Sequence, residues 1–596
     1  MRCFFVLLTL LIFPLVAQAE PEPAAPLSER ATNNLVALAE LTGLIRYYHP
    51  SDQAADVDWD RLTVFAARQV KPRADDEELV MTLRVVFERL APAVDIWTGS
   101  RDDAPERAAL PETAWVTGWY HMGVASHWDY AAQSTPYRSA RAREQRTRVR
   151  NVLPLGSEVV TELVPGVWAR VPLTLPLSED WTTLPVPEEE MDLDPLFSEQ
   201  WTPGVHDWYV RHAAVILAWS TLTHFYPYWD VTDVDWHKAL REALRGAEDA
   251  SDETAMLEVL RALAAHLDDG HARVMHATVM DDRMLPFRMA WIDDDLIVTV
   301  VHPAAADDIR VGDILRSIRG VAVDQHLDAL RPRISASTEG WMRQRLLEEL
   351  GRSLDVGTNV GIERDGEAPT EVFVRLIPQQ AWYELEQERP GQGAYLEQDI
   401  AYFDVCGADD AAFDRALPTL VRAKGVVFDM RGYPGAAGRR LLQHLTDDRI
   451  NSAYWHVPVT RRPYLSDMEP KESRWDLPAQ PPRIRGEVIF LTDARAISYA
   501  ESCLAIVEAY DLGDIIGSRT AGTNGNVNII DLPGGYRLLW TGMRVIKHDG
   551  TTVHHGVGIE PTIPLVPTRE GIAAGRDELL ERAIAELRTR LGDAEE

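Results

Sequence analysis

Cysteine is almost missing from this chain: three residues in 596, at positions 3, 406 and 503. That excludes a disulfide framework, and no cysteine–histidine spacing suits zinc. Cys406 and Cys503 could pair in an oxidising compartment, but both sit in apolar contexts that suit buried thiols. Positive charge is scarce too. Sixty Lys and Arg face 93 Asp and Glu, a formal net charge of −33, which argues against non-specific nucleic-acid binding and against docking on an anionic membrane. Low-complexity tracts are absent. Past the N-terminus no stretch is apolar enough to span a bilayer, which takes ~20 residues. The one apolar run, Phe4 to Val16, follows Arg2 and ends in Ala17-Gln18-Ala19. It predicts a signal peptide over residues 1–19, a mature chain from Glu20 without lipid on Cys3, and a periplasmic or secreted location.

What is present starts with a repeat. Tyr48-His49-Pro50 returns as Phe225-Tyr226-Pro227, Asp58-Trp59 as Asp235-Trp236, and Leu83-Arg84 as Leu260-Arg261, all at one constant offset. Apolar residues at three- and four-residue steps make both copies helical. The copies part at their ends: Leu90-Ala91-Pro92-Ala93-Val94 in the first, Leu267-Asp268-Asp269-Gly270-His271 in the second. Val94 stands where His271 stands, so the helical scaffold does not itself require the histidine.

The rest of the chain divides by pattern into a multidomain α/β protein. Residues 20–200 hold the first copy with a β-rich extension, of which the acidic stretch 185–199 reads as a linker; residues 206–283 hold the second copy. Residues 284–377 read as a small β-domain, with the strand Leu296–Val301 and the run Gly312-Asp313-Ile314-Leu315-Arg316-Ser317-Ile318-Arg319-Gly320. Residues 395–570 alternate strand and helix, and 571–596 form a charged C-terminal helix.

Within 395–570, Ser498 follows the buried run Val488–Leu491 and opens a helix, where free N–H groups and the dipole favour an oxyanion. A helix N-cap serine is the commoner use of such a position. The balance moves because Gly432 and Gly435 follow the strand ending at Asp429, in a loop able to turn its amides inward, and because His271 could take the Ser498 proton. His548, His554 and His555, flanked by turn residues, read as loop decoration; no metal or cofactor is expected.

The Gly-Asp-x-Leu-x-x-Ile-x-Gly run resembles a PDZ domain. Asp429-x-Arg431-Gly432-Tyr433-Pro434-Gly435, Ser498-x-x-Glu501 and Gly556-Val557-Gly558-Ile559-Glu560-Pro561 resemble motifs of the C-terminal processing (tail-specific) serine peptidases, peptidase family 41 of the serine type, over most of residues 206–570. The resemblance implies a crotonase/ClpP-like α/β core, a nucleophile at Ser498, oxyanion amides from Gly435, Gly432 and Tyr499, and a holding role for Glu501. Many members use a lysine base after the serine; here Gly517–Asn526 has none, and the chain is similar to the tricorn-like branch, with His271 as base. In that branch a serine and a glutamate support the histidine. Gly270 and Val553 stand at those places, leaving Asp268, Asp269 or Glu560 to orient the imidazole. The partner implied is a peptide or unfolded protein, held by its C-terminus at the PDZ-like domain. The competing expectation is a non-catalytic ligand- or peptide-binding protein on the same scaffold. A carboxylate-pair glycosidase ranks below both, since no spacing singles out a pair.

Overall fold

The computed structural model describes residues 26–107, 109–124, 136–187, 207–278, 283–364, 366–385 and 387–593. The expected signal peptide and most of the expected linker lie outside them. Among the described residues no helix is long and apolar enough to cross a membrane.

The two helical copies share one core. Helices Glu29–Tyr48 and Trp208–Phe225 are buried on nearly every face, as central rather than surface helices must be. Around them pack Trp59–Val70 and Asp76–Phe87 in the first copy, Trp236–Asp249 and Glu253–Ala265 in the second. Asp58, Asp75, Asp235 and Asp252 cap these four helices, each accepting a first-turn N–H, worth ~1 kcal/mol apiece. Each copy then runs into a strand at the edge of a three-stranded antiparallel sheet. Asp95–Thr98 pairs with Val167–Pro172, which pairs with Glu158–Val164. Arg273–His276 pairs with Tyr536–Thr541, which pairs with Val527–Leu532. The second hairpin therefore comes from the far end of the chain.

Residues 283–378 build an antiparallel sheet with Phe287–Ile292 at one edge and Thr370–Arg375 at the other. Gly312 and Gly320 take φ of +92° and +73° on either side of the strand Ile314–Ile318. The region is not wholly β: helices Val323–Leu330 and Glu339–Leu350 pack with the sheet.

The C-terminal part is a largely parallel sheet in the order Tyr395–Glu397, Ile400–Asp404, Gly425–Asp429, Glu487–Thr492, Asp514–Gly517, Ile563–Pro564, with only the first strand antiparallel. Its central strands are buried on both faces, which is why they read as unbroken apolar runs. Phe403, Val426, Phe428 and Phe490 face the helices Asp410–Arg422 and Tyr499–Tyr510. Tyr402, Val427, Ile489 and Leu491 face the C-terminal helix Glu578–Asp593 through Leu579 and Leu587. Asp404 pairs in register with Asp429, and Asp429 with Leu491. The loops after these strands, 405–408, 430–436 and 493–498, thus emerge together at the carboxyl edge, where α/β sheets bind ligands.

Candidate active site

The turn into the helix Tyr499–Tyr510 is closely hydrogen-bonded. Asp493 accepts the Arg495 amide at 2.9 Å and pairs with its guanidinium, and Ala496 N–H donates to Asp493 O at 3.0 Å. Ser498 then adopts φ 60°, ψ −111°. A non-glycine residue there costs ~1–3 kcal/mol and persists only when its surroundings hold it. Two bonds do so: Ser498 N–H donates to Thr523 O at 2.8 Å, and Ser502 N–H donates to Ser498 O at 2.9 Å. Ser498 occupies the N-cap position of Tyr499–Tyr510, yet its side chain accepts no first-turn N–H. An ordinary capping serine has extended backbone and spends its hydroxyl on the helix. Ser498 does neither.

His271 comes to the same place through Thr523. The Gly270 N–H donates to Thr523 Oγ1 at 2.9 Å, so one residue holds the Ser498 segment by its carbonyl and the Asp-Gly-His segment by its hydroxyl. A Cβ on Gly270 would lie 2.4 Å from that hydroxyl; no serine fits here without moving it. The partly buried His271 ring meets Thr541 Oγ1 through Nδ1 at 2.9 Å. Thr541 Oγ1 donates to Asp269 Oδ1 at 2.7 Å, and the Thr541 and His271 amides donate to Asp269 at 2.6 and 3.0 Å. Burial lowers the His271 pKa below the ordinary 6.5, and the Asp269 charge opposes that shift. The imidazole is therefore neutral at neutral pH, as a base requires.

Of the three carboxylates considered for orienting the ring, Asp269 alone reaches it, and it does so through Thr541 and the backbone. Asp268 is exposed, at φ 49°. Glu560 is 3.1 Å from Arg519 on the surface. Val553 packs against the helical core. Thr541 carries no motif and escaped the sequence reading; only its place opposite the strand after His271 could have marked it.

Two expectations need correcting. Gly432 and Gly435 do not offer amides to a ligand: the first donates to Met430 O and the second to Val405 O, both at 3.0 Å. Gly435 is there for close packing, since a Cβ would lie 2.1 Å from Ala408 O. The Tyr499 amide, by contrast, opens the helix and has no acceptor among the described residues. Nor are His554 and His555 loop decoration. Both are buried; His554 Nε2 lies 3.2 Å from Glu501 Oε1, and His555 stacks on Tyr228 at 4.3 Å. His548 bonds Asn451 O at 2.8 Å.

Glu501 is fully buried and accepts the Thr520 hydroxyl and the Gly522 and Thr523 amides at 2.5, 2.7 and 2.9 Å. It anchors the loop that carries Thr523. Cys406 and Cys503 are free thiols, each pushed up to about 12 by burial. Lys547, the first lysine after Ser498, is 3.1 Å from Glu508. A cavity of about 1100 Å³ lies between the edge strand Phe287–Ile292, the helix Glu339–Leu350 and the loops at the carboxyl edge of the parallel sheet, with Trp291, Arg343, Leu347, Arg431 and Tyr433 in its wall.

Comparison with known proteins meets this geometry at the parallel sheet. The family model "Peptidase family S41" matches residues 399–565. This stretch is a serine-peptidase domain. Ser498, the loop of Gly432 and Gly435, and Thr541 all lie in the peptidase domain, whereas His271 and Asp269 lie outside the matched residues. Among solved structures, mature CPAF complexed with lactacystin superposes with TM-score 0.53 at 15% identity, covering 64% of this chain and 99% of that one. The likeness is one of fold. The photosystem II D1 C-terminal processing protease aligns with TM-score 0.37 at 17% identity over 61% of this chain and 97% of that one. A search of curated proteins finds no match.

Proposed function

We propose that this chain is a periplasmic or secreted serine endopeptidase of the tricorn-like branch, acting on peptides or unfolded proteins. Ser498 Oγ attacks the scissile carbonyl while His271 takes its proton; the same proton then passes to the leaving amine, and water releases the acyl group from Ser498. The observation that carries this reading is the unspent Ser498 hydroxyl. A serine held at positive φ at a helix start, without capping that helix, has a strained backbone that structural duty does not explain. The Tyr499 amide and the positive end of its helix supply the oxyanion donor, a kind of interaction worth ~2.7–4 kcal/mol in a dry site.

Residues 284–377 would act as a PDZ-like domain. An extended peptide adds to the free edge of Phe287–Ile292, its side chains in the cavity beside Glu339–Leu350. That cavity opens toward the Tyr433 loop and so leads a bound chain to the peptidase domain.

The test is labelling of the chain from Glu20 with a fluorophosphonate probe, beside Ser498→Ala and His271→Ala. Labelling at Ser498 that both variants lose supports the proposal. A folded wild-type protein that resists the probe across pH, with peptide present, would favour a binding protein on the same scaffold.

A further inference from the structure

A histidine base has two ring nitrogens, and only the one facing the nucleophile can be bare. The other must carry the proton, and something must hold it there. In this site the hydrogens can be counted. Asp269 is fully buried and accepts from the Thr541 amide, the Thr541 hydroxyl and the His271 amide. An ionised carboxylate only accepts, and a threonine hydroxyl has one hydrogen. That hydrogen goes to Asp269 Oδ1, 2.7 Å away. Thr541 Oγ1 is left with lone pairs toward His271 Nδ1 at 2.9 Å, so the proton on that bond belongs to Nδ1.

We propose that Thr541, oriented by Asp269, is the positioning residue that locks His271 in its Nδ1–H tautomer and leaves Nε2 bare toward Ser498, in place of a carboxylate touching the imidazole. During acylation the Ser498 proton moves to Nε2, the Nδ1–H stays where it is, and Thr541 keeps its own hydrogen. The imidazolium charge is then balanced by Asp269 across one hydroxyl. The first repeat supports the assignment. There the residues at the places of Asp269 and His271 are Pro92 and Val94. In the matching strand, where Ile96 pairs with Ala169 as Arg273 pairs with Leu539, Val171 stands for Thr541. The scaffold forms without any of the three.

The other titratable groups acting on the ring are Arg273 two residues on, Glu501 on the nucleophile helix, and His555 on the turn beyond, with His554 between His555 and Glu501. None of them is hydrogen-bonded to the imidazole.

The role rests on Ser498 and His271 being nucleophile and base, and the experiment separates the two. Fluorophosphonate labelling rates of the whole mature chain are measured from pH 5 to 9 for wild type, Thr541→Val, Thr541→Ser and Asp269→Asn, with thermal midpoints alongside. Thr541→Val is expected to slow labelling about 10- to 100-fold and to move the acid limb to lower pH, because the imidazolium loses its support. Asp269→Asn should move the limb the same way. Thr541→Ser should restore most of the rate and the original limb. A labelled wild type whose Thr541→Val variant keeps its rate and pH profile overturns the positioning role alone. So does a Thr541→Ser variant as slow as Thr541→Val with an equal fall in thermal midpoint. A wild type that does not label overturns the nucleophile as well. Nitrogen-15 imidazole shifts of the Ser498→Ala protein, with His271 assigned by difference, read the tautomer without any change at Thr541; a ring protonated on Nε2 rather than Nδ1 defeats the proposal.

Discussion

The two helical copies solve the same folding problem with different side chains. Asn34 in the first copy donates to Val70 O and Arg73 O at 3.0 and 2.9 Å, closing the end of its neighbouring helix. Its counterpart Arg211 donates to Ala247 O and Glu248 O at 2.6 and 3.2 Å. One contact is kept in kind: Arg84 reaches Ile96 O at 2.8 Å and Arg261 reaches Val274 O at 3.4 Å. His49 and Ser51 tie the first copy's turn to Pro92 O and Leu90 O at 3.0 and 2.7 Å, while Tyr226 alone ties the second to Leu267 O at 2.6 Å. Lys71 and Glu248, equivalent positions, meet each other at 2.7 Å, as residues beside a two-fold axis do. What separates the copies is the hairpin that completes each one. The first takes its own, Glu158–Val164 and Val167–Pro172. The second takes Val527–Leu532 and Tyr536–Thr541 from the peptidase domain. Repetition supplies the frame, and the borrowed hairpin brings Thr541 to His271.

The sharpest break of that comparison is chemical. His271→Ala is expected to cost about 10⁴-fold or more in turnover of a peptide substrate, the scale seen when a base is removed from a serine site. Val94→His is expected to change nothing in the same assay, in wild type or in His271→Ala, because Pro92 and Val171 provide neither carboxylate nor hydroxyl. Activity recovered by Val94→His in the His271→Ala background would show the copies to be interchangeable.

Next in size is the pH response of the frame. Burial holds His49 and His121 down to about 4 and His212 and His224 down to about 3. Their folded values lie below the unfolded 6.5, so the unfolded chain binds more protons as pH falls. The stability they contribute is complete above pH 6.5 and drains toward pH 3–4, by about 1.4 kcal/mol per histidine per unit within each window. Thermal midpoints of the Ser498→Ala protein should hold level above pH 7 and drop steeply below pH 6. A level curve down to pH 5 would mean that these rings are not held neutral.

Smallest is the helix-end exchange. Asn34→Ala and Arg211→Ala should each lower stability by about 1–3 kcal/mol in denaturant unfolding, through buried carbonyls left without donors. A loss at one site only would show that the equivalence is geometric and not energetic.

Much of this was written in the sequence, unevenly. The parallel strands were legible because burial on both faces leaves apolar runs such as Val488–Leu491, and the repeat because its aspartate caps and tryptophans recur in step. Glu339–Leu350 was not, since Arg343, Arg345, Glu348 and Glu349 interrupt its apolar face. Ser498 could be nominated from its place between strand and helix, but its φ depends on Thr523. The error over His554 and His555 has the same origin: nearby glycines suggested a surface turn, while the burial comes from Glu501 and Tyr228, distant in the chain. Thr541 is one more strand residue until its neighbours are known.

The borrowed hairpin also sets an order in time. Arg273–His276 has no strand to lie against until Tyr536–Thr541 exists, and a ribosome reaches those residues some 260 positions after it has made His271. The first copy finds its hairpin in its own segment and needs nothing from the far end of the chain for that sheet. The histidine's surroundings are finished only when almost the whole polypeptide has been made, so a chain released early carries both serine and histidine but not the arrangement that joins them.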